Sequence, residues 1–113
     1  MTQRRFTRPE PFAVDGRCAA AGCTVVAKGE IDLCTSPAIE SELERHHHDG
    51  RALEVDLSGV TFIDSTGLSV LLRTRDRLAG QGRALRVVAP DGPALRAIEL
   101  TGLQRTLGVG PGR

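Results

Sequence analysis

The chain has 113 residues and a formal charge of +1 at pH 7, a length suited to one domain around one core. Three Phe with no Tyr or Trp offer little for base stacking, and a charge this close to zero gives no field that gathers polyanions, so direct nucleic-acid binding is not expected. No apolar run approaches the ~18 residues of a membrane span, and the basic N-terminus lacks the apolar stretch of a secretory signal, so a cytoplasmic domain without membrane attachment is expected.

Residues 1–10 are polar and flanked by proline and read as a flexible tail, with Arg4, Arg5 and Arg8 solvated. The domain is expected over 11–109, with a second flexible tail over 110–113. Phe12–Arg17 and Cys23–Lys28 read as strands, and the AAAG between them closes a hairpin. Cys18, Cys23 and Cys34 are an odd set with no C-x-x-C pair, which predicts reduced thiols. Gly29-Glu30-Ile31-Asp32-Leu33 reads as a loop. Ser36-Pro37 predicts a helix start, with Ala38, Ile39 and Leu43 on its apolar side and Glu40, Glu42, Glu44 and Arg45 in water. Asp49-Gly50 ends that helix. His46, His47 and His48 are consecutive, point ~100° apart on a helix and do not converge on an ion, so no metal is expected there.

Ala52–Leu57 alternates apolar with acidic residues and predicts a half-buried strand, followed by a turn at Ser58-Gly59. From Leu68 the period becomes helical. Leu68, Leu71, Leu72, Leu78 and Ala79 fall on one face; Ser69, Arg73, Asp76 and Arg77 fall on the other. Gly80-Gln81-Gly82 stops this helix. Ala84–Val88 predicts a strand, and Asp91 a cap for a third helix with Pro93 in its first turn and Leu95, Ile98 and Leu100 as apolar content. Gly102 closes it, leaving either a short last strand or a frayed end. The order β-β-α-β-α-β-α places the chain among α/β domains with a mixed sheet, the opening hairpin supplying the antiparallel pair.

Asp64-Ser65-Thr66-Gly67 carries the chemistry. An acid protease motif has one hydroxyl residue between Asp and Gly and needs a second copy for the facing carboxylate; here an extra residue intervenes and no second copy exists. A serine hydrolase needs a base, and the three histidines sit at a distant helix end, with no G-x-S-x-G around Ser65. Residue types alone leave two readings. Asp, Ser and Thr all cap helices and Gly suits a tight turn, so the segment can simply start a helix. One cap needs one oxygen, however, and a spare exposed hydroxyl at a helix N-terminus can accept phosphate, a group of about −1.5 to −2 charge that the helix end tolerates. Facing a partner's acid at ~5 Å, one added charge costs on the order of 3 kcal/mol at an effective dielectric of 20, about a hundredfold in affinity.

KGEID at Lys28–Asp32, VDLSGVTFIDSTGLSVLL at Val55–Leu72 and AIELTGL at Ala97–Leu103 resemble the STAS family, most of all the stand-alone bacterial anti-sigma factor antagonists, over about Phe12 to Val109. The resemblance implies a four- to five-stranded mixed sheet with helices packed mainly on one side. It implies that Ser65 is phosphorylated by an anti-sigma factor that is itself an ATP-using serine kinase. The unmodified form then binds that kinase and frees the sigma factor, the phosphorylated form lets go, and a PP2C-type phosphatase resets the switch. Asp32 matches the acid of the family's G-E-[LI]-D loop, and Asp64, Thr66 and Gly67 match the rest of its motif. The expected docking surface comprises the Ser65 corner with Asp64, Thr66 and Gly67, the loop from Glu30 to Thr35 with Glu30 and Asp32, and the outer helix face at Ser69 and Arg73, with Val70 and Arg77 as further candidates; an ordinary solvated helix face accounts for the helical ones equally well. The domain is expected to be a monomer or weak dimer, not an enzyme, and to carry no cofactor and no metal. Lone STAS domains also resemble subunits of large stress-sensing assemblies and the small partner of an ABC-type lipid transporter, which makes a scaffold or adaptor the alternative.

Overall fold

Cys23, Val25 and Ala27, and again Leu53, Val55 and Leu57, place apolar side chains at every second position, which suits extended chain with one buried face. Both segments are strands in the computed structural model, which describes residues 11–47 and 50–110. In chain order the elements are β1 (Ala13–Ala19), β2 (Gly22–Ile31), α1 (Ser36–His47), β3 (Ala52–Ile63), α2 (Ser65–Ala79), β4 (Leu85–Val88), α3 (Pro93–Leu100), α4 (Gln104–Leu107) and β5 (Val109–Gly110). They build a mixed sheet of order β1-β2-β3-β4-β5, in which β1 runs antiparallel to β2 and the other neighbours are parallel. The fold is the expected α/β domain. Ile39 and Leu43 of α1, Leu68, Leu71 and Leu78 of α2, and Ile98 of α3 close the core around the sheet.

β3 is longer than its alternation suggests. The predicted turn at Ser58-Gly59 is instead part of the strand, because β3 carries two extra residues relative to β2. Val26 pairs with Asp56 and Lys28 with Gly59; Gly29 pairs with Val60 and Glu30 with Phe62. Each bulge shifts the inward phase by one residue, so Leu57, Val60 and Ile63 are all buried at a spacing of three. Asp56 Oδ1 accepts from the Ser58 amide at 2.9 Å and supports the first bulge. For the same reason the predicted loop at Gly29–Ile31 is strand, since β2 follows its lengthened partner to Ile31.

Other departures have local causes. Ala38 and Ala79 are exposed rather than apolar-facing, and Leu72 is only half-buried. Val70 is 2% exposed and belongs to the core, not to the outer face of α2. Asp91 does not cap α3: Gly92 occupies that position without a side-chain hydrogen bond, and Pro93 opens the helix. Leu100 is exposed rather than packed. The last strand is real but short, and α4 before it has no apolar periodicity to announce it. Gly110 lies in β5, so only residues 111–113 of the expected C-terminal tail, and all of residues 1–10, fall outside the described residues. Cys18 and Cys23 are joined in a disulfide, against the expectation of free thiols. They are direct register partners across the hairpin, with Cα atoms 4.0 Å apart. Cys34 is the odd thiol left over.

Candidate functional site

Strand β3 passes to α2 through a single residue. Asp64 is extended, its amide donates to the Ile31 carbonyl at 3.1 Å, and its own carbonyl accepts the first helical bond, from the Leu68 amide at 3.0 Å. Its Oδ1 accepts from the Thr66 amide (2.9 Å), the Gly67 amide (3.2 Å) and the Thr66 hydroxyl (2.5 Å). The Thr66 hydroxyl, assisted by the Gly67 and Thr66 amides, holds the Asp64 carboxyl below its ordinary value of 3.8 against the opposing effect of burial. Asp64 is therefore the cap and an anion, and the segment starts the helix as its composition allows.

Capping uses two of the three polar side chains. Ser65, the first residue of α2, is exposed, and its hydroxyl has no hydrogen-bond partner among the described residues. Gly67 makes the corner possible. A Cβ there would stand 2.6 Å from Ile31 Cγ2 and 2.8 Å from Ile63 Cγ1, so only glycine lets the helix start sit on the ends of β2 and β3.

The Ile31–Asp64 bond also ties the following loop to this corner. Asp32 Oδ1 accepts from the Cys34 amide (3.0 Å) and the Thr35 amide (3.1 Å), and Thr35 Oγ1 accepts from the Asp32 amide (2.9 Å) and donates to the Glu30 carbonyl (2.8 Å). Asp32 thus builds the turn that enters α1. Glu30 is exposed, Asp32 half-buried.

Ser65, Ser69 and Arg73 recur every fourth residue and form one stripe along α2. Ser69 is half-buried. Arg73 reaches across to α1 and grips Glu40 with two bonds of 3.0 Å. Arg77 bridges Glu40 (3.4 Å) and Glu44 (3.3 Å). The Arg73 guanidinium holds the Glu40 carboxyl below its ordinary value of 4.5, and Glu40 in turn raises Arg73. Both arginines fasten two helices together and are not idle on the surface. Two apolar residues at this end of the sheet are exposed: Leu33 (72%), inside the expected docking loop, and Phe62 (49%), which sequence reasoning missed. Phe62 is the register partner of Glu30. The signal for Phe62 was its place out of phase with the buried positions of β3.

Chemically, the corner presents an unengaged hydroxyl next to the capping carboxylate of Asp64, with the exposed Leu33 and Phe62 at the same end of the sheet. Nothing among the described residues hydrogen-bonds to the Ser65 hydroxyl. No helix among the described residues is long and apolar enough to cross a membrane.

Comparison with known proteins identifies the family and the fold. Residues 14–111 match the STAS domain. The anti-sigma-F factor antagonist RsfB of Mycobacterium tuberculosis is 40% identical over 79 residues, 69% of this chain, and the match spans 64% of that relative's length. An anti-sigma-B factor antagonist of Staphylococcus aureus is 33% identical over 85 residues, covering 74% of this chain and 79% of its own. The crystal structure of an anti-sigma factor antagonist from Mycobacterium paratuberculosis superposes with a TM-score of 0.82 at 34% identity, over 94% of this chain and 91% of that one. The family match, the sequence relatives and the shared fold place this chain in the STAS domain family.

Proposed function

We propose that this protein is an anti-sigma factor antagonist whose docking on an anti-sigma factor serine kinase is switched off by phosphorylation of Ser65. The single observation that carries the reading is the exposed Ser65 hydroxyl, left without a partner while its neighbours Asp64 and Thr66 are consumed by the cap. The names of the relatives support the role of antagonist. In this reading the kinase supplies ATP, metal and base, and the antagonist supplies a hydroxyl on a rigid corner.

The docking surface divides by task. Leu33 and Phe62 supply exposed apolar area, and Glu30 supplies charge beside them. Asp32, Asp64, Thr66 and Gly67 shape the corner from within. Ser69 and Arg73 border it along α2. A phosphate on Ser65 meets the Asp64 carboxylate, which already holds the Thr66 and Gly67 amides. The modification therefore changes the field of the surface rather than building new internal bonds, and a partner seated on that surface is expelled by charge. A PP2C-type phosphatase restores the unmodified form.

The test is phosphate incorporation by the kinase from the same cell, located by peptide mass spectrometry. Label is expected on Ser65 in the wild type and in Thr66→Ala, and no label in Ser65→Ala. Full labelling of Ser65→Ala contradicts the assignment.

A further inference from the structure

A second cluster of reactive side chains lies at the hairpin end of β1 and β2, beside the C-terminal turn of α1 and remote from Ser65. Cys18, Cys23 and His46 offer ligand atoms that all lie within 4.8 Å of one another. Cys18 Sγ is 3.4 Å from His46 Nδ1, and the other ring nitrogen, Nε2, is 3.3 Å from Glu42 Oε2. Gly16 is the neighbour that makes room for this arrangement. A Cβ on it would stand 2.3 Å from His46 Nε2 and 2.5 Å from Glu42 Oε2, so the imidazole and its carboxylate are set into a gap in β1.

The pieces form a recognisable coordination set. Zinc takes thiolate sulfur at ~2.3 Å and imidazole nitrogen at ~2.0–2.1 Å in a tetrahedron, whose edges are then about 3.8 Å between sulfurs and about 3.6 Å from sulfur to nitrogen. The Cys18–His46 separation of 3.4 Å is already close to such an edge. A carboxylate that fixes the far nitrogen of a ligating histidine is the usual outer partner of a zinc site. Cys18 is exposed and Cys23 is buried, so an ion has one open approach.

We propose that reduction of the Cys18–Cys23 bond turns this hairpin end into a site for a thiophilic divalent cation, Zn²⁺ being the natural fit. Its ligands are Cys18 Sγ, Cys23 Sγ and His46 Nδ1, with Glu42 as the positioning residue and water in the fourth place. The reductant is a dithiol. Its thiolate attacks the exposed Cys18 sulfur, the bond to Cys23 breaks, and the second thiol of the reagent displaces Cys18 to leave a cyclic disulfide and two cysteine thiols. Two electrons and two protons pass to the protein. Binding the cation then releases both thiol protons to solvent, and the sulfurs separate to the tetrahedral edge.

The experiment uses the full chain carrying Cys34→Ser, which removes the exposed third thiol. Oxidised and dithiol-reduced samples, freed of reagent without air, are titrated with Cd²⁺ for thiolate charge-transfer absorbance and with Zn²⁺ against a chromophoric chelator. Expected are one equivalent bound by the reduced protein and none by the oxidised one. His46→Ala and Glu42→Gln, both checked for native circular dichroism, are expected to weaken Zn²⁺ affinity by about tenfold or more in the reduced state. Two outcomes overturn the proposal: no binding by the reduced, folded protein, or binding with an affinity that His46→Ala leaves unchanged. Should His46→Ala fail to fold, His46→Gln and the native mass of the reduced wild type with and without Zn²⁺ decide the matter.

Discussion

Among single residues, Gly67 and Asp64 set the corner and Ser65 is what the corner displays. Gly67→Ala puts a methyl into the space of Ile31 and Ile63, and overpacking of this kind costs about 1–3 kcal/mol. Denaturant titration is expected to show that loss with an unchanged m-value. Asp64→Ala removes the acceptor of two amides and one hydroxyl and is expected to lower Tm by several degrees, whereas Ser65→Ala, which breaks no hydrogen bond among the described residues, leaves Tm in place. The motif was legible in the sequence because polar residues outnumber what one cap requires. Which of the three stays free was not, since Asp, Ser and Thr all cap well and only backbone geometry selects Asp64. Phe62 stayed hidden because an exposed apolar side chain has no periodicity of its own, and Val70 was misplaced because its face of α2 meets the core. The disulfide was missed because an expected reducing compartment was weighed above the hairpin, whose register sets Cys18 opposite Cys23.

Among elements, α1 and α2 are held side by side by the Glu40–Arg73 fork and by Arg77 between Glu40 and Glu44. Arg73 depresses Glu40 in the folded state, so Glu40 binds its proton more readily in the unfolded chain. The stabilisation is therefore complete above the ordinary value of 4.5 and disappears as pH falls through the lowered folded value. Glu40→Gln is expected to lower Tm at pH 7 and to approach the wild type as pH falls through the lowered folded value; a gap that stays constant on acidification, in thermal melts at fixed ionic strength, contradicts this. Strand alternation made β2 and the first half of β3 legible. Beyond Leu57 two bulges change the phase, and the same residues then read as a turn and a loop. Glu54 shows the opposite case: an acidic residue on the outward phase is nevertheless only 8% exposed, because its register neighbours are Thr24, at 3.4 Å, and Arg86, at 2.9 Å.

For the whole molecule, the order of elements sufficed to place the fold, since strands alternating with helices after a hairpin admit few sheets. What the assembled molecule adds is location. The parallel strands β2 and β3 end together at Ile31 and Ile63, and that shared end brings the Glu30–Thr35 turn beside Ser65 on one surface. The proposed switch acts on that surface and not on the core. Its most direct test is calorimetric titration of the cognate anti-sigma factor kinase with the unmodified chain and with the chain phosphorylated on Ser65, circular dichroism being recorded on both. Expected are superimposable spectra and an affinity about a hundredfold weaker for the phosphorylated chain. Equal affinities, or a weaker one accompanied by loss of the native spectrum, would contradict the switch.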